Sequence, residues 1–509
     1  MDFLDPKKER QNQIKLLLGY ALVAIAIGGA TLVLLYQAYG YELNRQGQIT
    51  QNGLLFISSQ PTGSKVYLNN QLYPSATDTR AIVPAGAYNL EITRPGYRNW
   101  TRPIYVAGGD VQHFDYPFLF PKTLKTTTVS DLSTTPTLFT QSLNQQWLLM
   151  DRPGDPGTFT LYDLKNPKQP TSTVITLPAG TYTPSDGAES WSLEEWASDN
   201  NHVVLEHTYI SKGTTDHEYI LVDTQTPSDS VNLTYSLNLT QDETLTLFNN
   251  QDAQVYVYDP GSQDLQRVNV SDGSVVSQLQ HVLAYKTYAD NEILYLSSQA
   301  PDGKVTPDQD SVVLQDGQKT YTLRTLPSGA PSYVLNLAQY NGDWYIAVGA
   351  SNGPSVYVYK DPQSEAVTQA DAYPEPWRRL DISDPTYISF SNNAQFLMAE
   401  SGQHFIVYDL ENVIQYTYIT SKYPLDQPQL HATWMDGDRI MYVSNGKVVV
   451  FDYDYQNPQL LMPAEPTYLA DFDSSYAYLF AIAPEAVTTK DPTSGTDLTS
   501  TAMLTPVDQ

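Results

Sequence analysis

The stretch of residues 432–463, ATWMDGDRIMYVSNGKVVVFDYDYQNPQLLMP, limits the fold more than any other part of the chain. It reads as four short strands, at 432–435, 439–443, 447–453 and 459–462. The breaks are Asp436-Gly437-Asp438, Ser444-Asn445-Gly446 and Gln456-Asn457-Pro458. Asn-Gly supplies the positive φ angles of a tight hairpin. Val, Ile and Tyr suit pleated, half-buried positions. One such sheet leaves two edges and two apolar faces open, so it needs companions of the same kind.

The companions are present. Polar turns at 143–146, 198–201, 240–243, 288–291, 340–343, 391–394, 435–438 and 472–475 each feed an apolar strand. Their mean spacing is about 47 residues, a period that belongs to propeller blades. A second mark is a strand ending in Tyr, Val or Phe followed by Asp. It falls at Asp163, Asp223, Asp259, Asp409 and Asp452, with Asp361 a variant. Radial repetition hides strand edges, which lets a large antiparallel protein stay soluble. The repeats resemble the WD40-like and TolB-like propeller families across about 122–508, and that resemblance transfers no site. Eight blades are expected, with seven the alternative. The Thr-rich run 123–129 is expected to close the last blade beside 501–507, after a loose loop at 488–499.

At the other end, residues 1–13 are polar and carry Lys7, Lys8 and Arg10. The run 14–36, with Ile14 at one end and Tyr36 at the other, is nearly uncharged. At 1.5 Å per residue it spans roughly 34 Å, enough for the bilayer core. Tyr36, Tyr39 and Tyr41 sit where an interfacial aromatic belt lies. Positive charge, Lys15 included, gathers at the N-terminal flank. The expected topology is therefore a single-pass anchor in the cytoplasmic membrane, with the N-terminus in the cytoplasm and the rest outside. A cleaved signal peptide is the alternative, but its apolar core would be shorter, about 7–15 residues. Ala24 with Gly28, and Ala26 with Ala30, permit helix pairing without requiring it.

Residues 37–52 read as a linker, and 53–120 as a compact β-module. Its punctuation is Ser59-x-Pro61-x-Gly63, the Val66-Tyr67 strand with an Asn69-Asn70 turn, Pro84-Ala85-Gly86-Ala87, and Pro95-Gly96-Tyr97. This order and spacing resemble the PEGA domain, a small surface β-sandwich. Two positions depart from the family: Ala85 stands where Glu is usual, and Tyr73-Pro74-Ser75-Ala76 replaces Gly-Thr-Pro. The resemblance implies a bacterial surface or envelope protein and brings no catalytic motif. The whole chain is thus expected to be all-β behind one N-terminal helix.

Acidic residues outnumber basic ones 56 to 28, a net charge of −28. Such a surface repels phosphate backbones, so no nucleic-acid partner is expected. Solvated acid explains the excess without a calcium store. Cysteine is absent, which excludes disulfides and thiolate chemistry. Gly349-Ala-Ser351-Asn-Gly353 has the spacing of a nucleophile elbow, but a strand follows it where the elbow needs a helix. His202 and His207 are five apart on a strand and so point to opposite faces. Glu194 with Glu195, and Asp471 with Asp473, read as solvated turn carboxylates. Trp191 and Trp196 are expected to pack in the core. No catalytic residue, metal ligand or cofactor is expected.

The loop Tyr373-Pro-Glu-Pro-Trp377-Arg378-Arg379 stands out in an acidic protein, because Trp and Arg anchor interfaces. Tyr373, Trp377, Arg378 and Arg379 are therefore the candidate partner-binding residues. The expected function is binding or scaffolding at the cell envelope, with an envelope protein or glycan as partner. The alternative is an extracytoplasmic enzyme acting on glycan or peptide in the central channel, which clustered channel carboxylates would favour.

Overall fold

The computed structural model describes residues 6–38, 40–43, 49–132, 134–289, 292–301, 303, 307–366, 373–484 and 496–504. They divide into two compact units, meeting between Thr123 and Leu124. Part of the expected tail (1–5), of the linker (39 and 44–48) and of the loop at 488–499 (up to 495) lies outside the described residues.

The first unit opens with the helix Pro6–Ala38. Its segment Arg10–Ala38 is long and apolar enough to cross a membrane, and none of it is buried against the protein. The helix stops where Gly40 takes a φ of +76°, and the Gly40 N–H donates to the Gln37 carbonyl. The expected linker is partly structure. Tyr41–Leu43 pairs antiparallel with Ile49–Ile57, and the Asn52 N–H donates to the Gly40 carbonyl at 2.8 Å.

Two four-stranded sheets follow. One holds Tyr41–Leu43, Ile49–Ile57, Thr79–Pro84 and, in parallel, Val111–Phe114. The other runs Gln71–Ala76, Lys65–Leu68, Gly86–Thr93, Trp100–Val106. Alternating side chains bury Leu55, Ile57, Val66, Leu90, Ile92 and Trp100 between them. Gly53 permits the closest approach, since a Cβ there would meet Val106 Cγ1 at 2.3 Å. The unusual Tyr73–Ala76 segment is simply part of an edge strand, where Pro74 is tolerated.

Among the described residues, the second unit contains eight four-stranded antiparallel sheets. They occupy residues 139–176, 190–232, 244–279, 282–327, 333–380, 387–419 and 433–463, with the eighth formed by 471–502 and Thr126–Leu132. Their first strands form an inner ring. Trp196 Nε1 donates to Thr140 Oγ1, the Leu247 N–H to Glu195 Oε2, Asn336 Nδ2 to the Ile388 carbonyl, and Trp434 Nε1 to Ser389 Oγ. Thr246 and Tyr285 share a hydroxyl contact of 3.2 Å, and Val282–Tyr288 lies beside Tyr333–Tyr340. Sheets seven and eight meet where the Glu465 N–H donates to the Ile482 carbonyl. Gln141 Nε2 reaches the Phe472 carbonyl at 2.8 Å and joins the eighth sheet to the first. This is a propeller.

The closing strand is Thr126–Leu132, paired with Thr496–Ala502 in the register Thr501↔Thr126 and Thr496↔Leu132. It was expected a few residues earlier in one strand and later in the other. The observed register brings Val129 and Leu132 onto the core shared by the first and eighth sheets. Residues 505–507 lie outside the described set.

Both repeat marks have a chemical cause. In the polar turns, Asp199, Asp436 and Asp473 accept hydrogen bonds from backbone N–H groups two to five residues on. At the strand ends, Asp163, Asp223, Asp259 and Asp409 do the same for the next turn. Such side chains replace backbone partners that a tight turn leaves unmet. In the third sheet both marks fall one strand early. Thr244–Phe248 is its first strand, not its second, because Asn249 and Asn250, both at positive φ, make a further turn.

Candidate functional site

Arg378–Leu380 is the outer strand of the fifth sheet, paired with Val356–Lys360. The structure therefore places the four candidate binding residues unequally. Trp377 is half-buried against the core of the fifth and sixth sheets. Tyr345 and Tyr408 meet its ring edge-on, at 5.5 and 5.4 Å. The Arg378 guanidinium lies 4.5 Å from the Trp377 ring centre, and its Nε donates to Tyr408 Oη. Trp377 and Arg378 are thus packed seam residues and not free anchors. They sit there because a large ring gains more from filling the gap between two sheets than from water. Tyr373 and Arg379 stay exposed, Arg379 beside Asp381 at 2.8 Å. We expect Trp377→Ala to cost about 2–3 kcal/mol of stability, read as a lower midpoint in chemical denaturation. An unchanged midpoint would restore the ring to the surface.

The inner ring holds the clustered carboxylates. Glu194 and Glu195 lie on the first strand of the second sheet, not in a turn, and a β-bulge separates Leu193 from Glu195. Bulges aim successive side chains in ways a regular strand does not. Glu195 Oε2 accepts from the Leu247 N–H. Glu206, from the adjoining strand, accepts from Ser192 Oγ at 3.1 Å. Burial, then the charges of Glu206 and Glu195, push the Glu194 carboxyl up to about 7. Asp471, on the first strand of the eighth sheet, is raised by burial to about 7 as well. Two adjacent acidic residues within a strand were the one sequence sign of this cluster, since they break the alternation of a regular strand.

Folding favours the protonated Glu194, whose folded value exceeds the 4.5 of the free side chain. The penalty is absent below about 4.5 and complete above about 7. Glu194→Gln is thus expected to raise the melting temperature at pH 8 and leave it nearly unchanged at pH 4. Equal shifts at both would show that Glu194 does not titrate in this window.

Other polar side chains serve the fold. Buried Glu400 accepts from His431 Nδ1 and the Ala432 N–H, tying the sixth sheet to the seventh. Glu218 accepts from the Thr183 N–H and hydroxyl and contacts His207 Nδ1 at 3.0 Å. His202 instead meets Asp199 at the strand start, so the two histidines do part. Trp191 and Trp196 are buried, as expected. Gly349 to Gly353 forms a hairpin between Asp343–Ala350 and Val356–Lys360. Among the described residues no three His, Asp or Glu side chains are grouped as metal ligands.

Residues 52–119 match the PEGA domain family. The first unit is therefore a PEGA module carried behind an apolar helix. No curated protein matches the chain in sequence. Among solved structures, Hsv2 of Kluyveromyces marxianus is similar at 10% identity, covering 66% of this chain and 99% of its own, with a TM-score of 0.40. The dihydro-heme d1 dehydrogenase NirN is similar at 12% identity, over 65% of this chain and 67% of its own, with a TM-score of 0.38. Hsv2p of Kluyveromyces lactis matches at 10% identity over 65% and 99%, with a TM-score of 0.37.

Proposed function

We propose that this protein is a single-pass membrane anchor that presents a PEGA module and a propeller on the outer side of the cytoplasmic membrane, for binding or scaffolding at the cell envelope. The observation that carries this is the junction after the helix. An apolar helix whose membrane-length window is unburied runs directly into folded β-structure through the Gly40–Asn52 hydrogen bond and the Tyr41–Leu43 strand. A signal-peptide cut just past the helix would fall in a paired strand. The N-terminal positive charges favour a cytoplasmic N-terminus. A propeller offers a broad rigid face of loops, where binding residues gather. Tyr373 and Arg379 are the candidates of the original four that remain exposed for a protein or glycan partner.

The test is protease treatment of cells whose outer layers are permeable, followed by crosslinking pull-down. An N-terminal tag should survive while PEGA module and propeller are digested. Protection of the propeller would overturn the topology. Tyr373→Ala with Arg379→Ala should reduce recovery of the crosslinked partner without moving the melting temperature.

The second reading, an enzyme acting on glycan or peptide, has one observation in its favour. Glu194, pushed up to about 7 by burial and by the charges of Glu206 and Glu195, is the kind of carboxyl that performs acid–base chemistry. Hydrolysis by the purified ectodomain that is lost in both Glu194→Gln and Glu206→Gln would establish it.

A further inference from the structure

The PEGA module leaves one sheet face apolar where a sandwich is normally polar. Along the sheet of Ile49–Ile57, Thr79–Pro84 and Val111–Phe114, the inward positions fill the core. Two cross-strand rows of outward positions are set by the register Ile82↔Leu54↔Val111 and Arg80↔Phe56↔His113, beside the pair Asn52↔Pro84. Ile82 is 63% exposed, Val111 53% and Phe56 37%. The first row is wholly apolar. The second carries a guanidinium, an aromatic ring and an imidazole, with Phe56 and His113 stacked at 4.7 Å. Clustered apolar surface of this kind marks a contact site.

The fold indicates what covers it. Leu54, Ile82 and Val111 line a groove of about 1350 Å³ whose other wall is Leu32, Val33 and Tyr36, on the last two turns of the apolar helix. The Gly40–Asn52 hydrogen bond and the Tyr41–Leu43 pairing fasten that helix end to the same sheet. If those turns lie in the bilayer, the apolar row lies level with them. Two residues along the strands, roughly 7 Å away, come Arg80, Phe56 and His113. Aromatic and cationic side chains of this kind sit at the headgroup level of a bilayer.

We infer that this face of the PEGA module docks on the bilayer, seating Ile82, Leu54 and Val111 among the upper acyl chains and Arg80 at lipid phosphates. The module is thereby held down on the membrane instead of swinging on a tether. This rests on the anchor reading above.

The chain contains no cysteine, so single Cys substitutions report one site each. The full chain carrying Ile82→Cys, Val111→Cys, Tyr105→Cys or Val23→Cys is labelled with a small fluorophore. Each is reconstituted in phosphatidylcholine–phosphatidylglycerol vesicles containing lipids with a nitroxide high on the acyl chain or near its end. Tyr105 is the control, 68% exposed on the other sheet. Labels at 82 and 111 should lose most of their emission to the high nitroxide, the label at 105 almost none. The label at 23 should be quenched by the deep one. Positions 82 and 111 unquenched with 23 quenched would overturn the docked face and leave the anchor standing. A label at 23 that no nitroxide reaches would overturn the anchor and this inference with it. Disulfide-linked dimers of unlabelled Ile82→Cys would assign the face to a second copy and also overturn it.

Discussion

A propeller beginning after Leu132 is expected to aggregate or to melt far below one beginning at Leu124. The difference is one strand, Thr126–Leu132, but that strand seals the ring. Its partner Thr496–Ala502 is almost wholly buried, with Leu498 at 0% and Thr501 at 1% exposure. Removing the seal bares that strand's N–H and C=O groups and its hydroxyl pairs, Thr126 with Thr501 and Thr127 with Ser500. It also strips Val129 and Leu132 from the core of the first and eighth sheets. An open, flat edge is a template for pairing with another chain. The loss of one strand's packing and ladder amounts to about 5 kcal/mol or more, on the scale of a whole domain's stability. Size-exclusion chromatography with calorimetry decides it. Two monodisperse proteins with equal midpoints would show that the ring does not depend on this closure.

Arg439→Met should be the most damaging single substitution among the charged residues. Arg439 is 6% exposed and Asp436 is 7% exposed, in the turn that opens the second strand of the seventh sheet. The guanidinium Nε donates to Asp436 Oδ2 at 2.8 Å, and a second guanidinium nitrogen reaches the same oxygen. Asp436 Oδ1 meanwhile accepts the N–H groups of Asp438 and Arg439. Without the guanidinium, a buried carboxylate remains with no counter-charge, and breaking such a pair costs about 3–5 kcal/mol. The exposed pair Arg152–Asp155 should lose less than about 1 kcal/mol on Arg152→Met. The deficit in the Arg439→Met protein comes from the stranded Asp436 carboxylate. Adding Asp436→Asn should recover part of it at neutral pH. Denaturant titrations of the four proteins test this, and a wild-type midpoint for Arg439→Met would refute it.

The sequence by itself determined the repeat, its four strands and the turns between them, because these rest on local rules. Asn445-Gly446 fixes a hairpin, and Asp436 closes its own turn wherever that turn lies. The same rules placed the apolar helix and the Pro and Gly punctuation of the PEGA module. They failed at the third sheet, where Asn249-Asn250 added a turn that the period did not anticipate. Only tertiary structure decided the rest. The register of Thr126–Leu132 depends on which residues meet a core some 370 positions away. Trp377 and Arg378 look like surface anchors until the sixth sheet supplies Tyr408. Glu194 and Glu195 look solvated until a bulge turns them onto the inner ring beside Glu206. In each case a side chain's environment comes from a strand distant in sequence, and local chemistry carries no record of it.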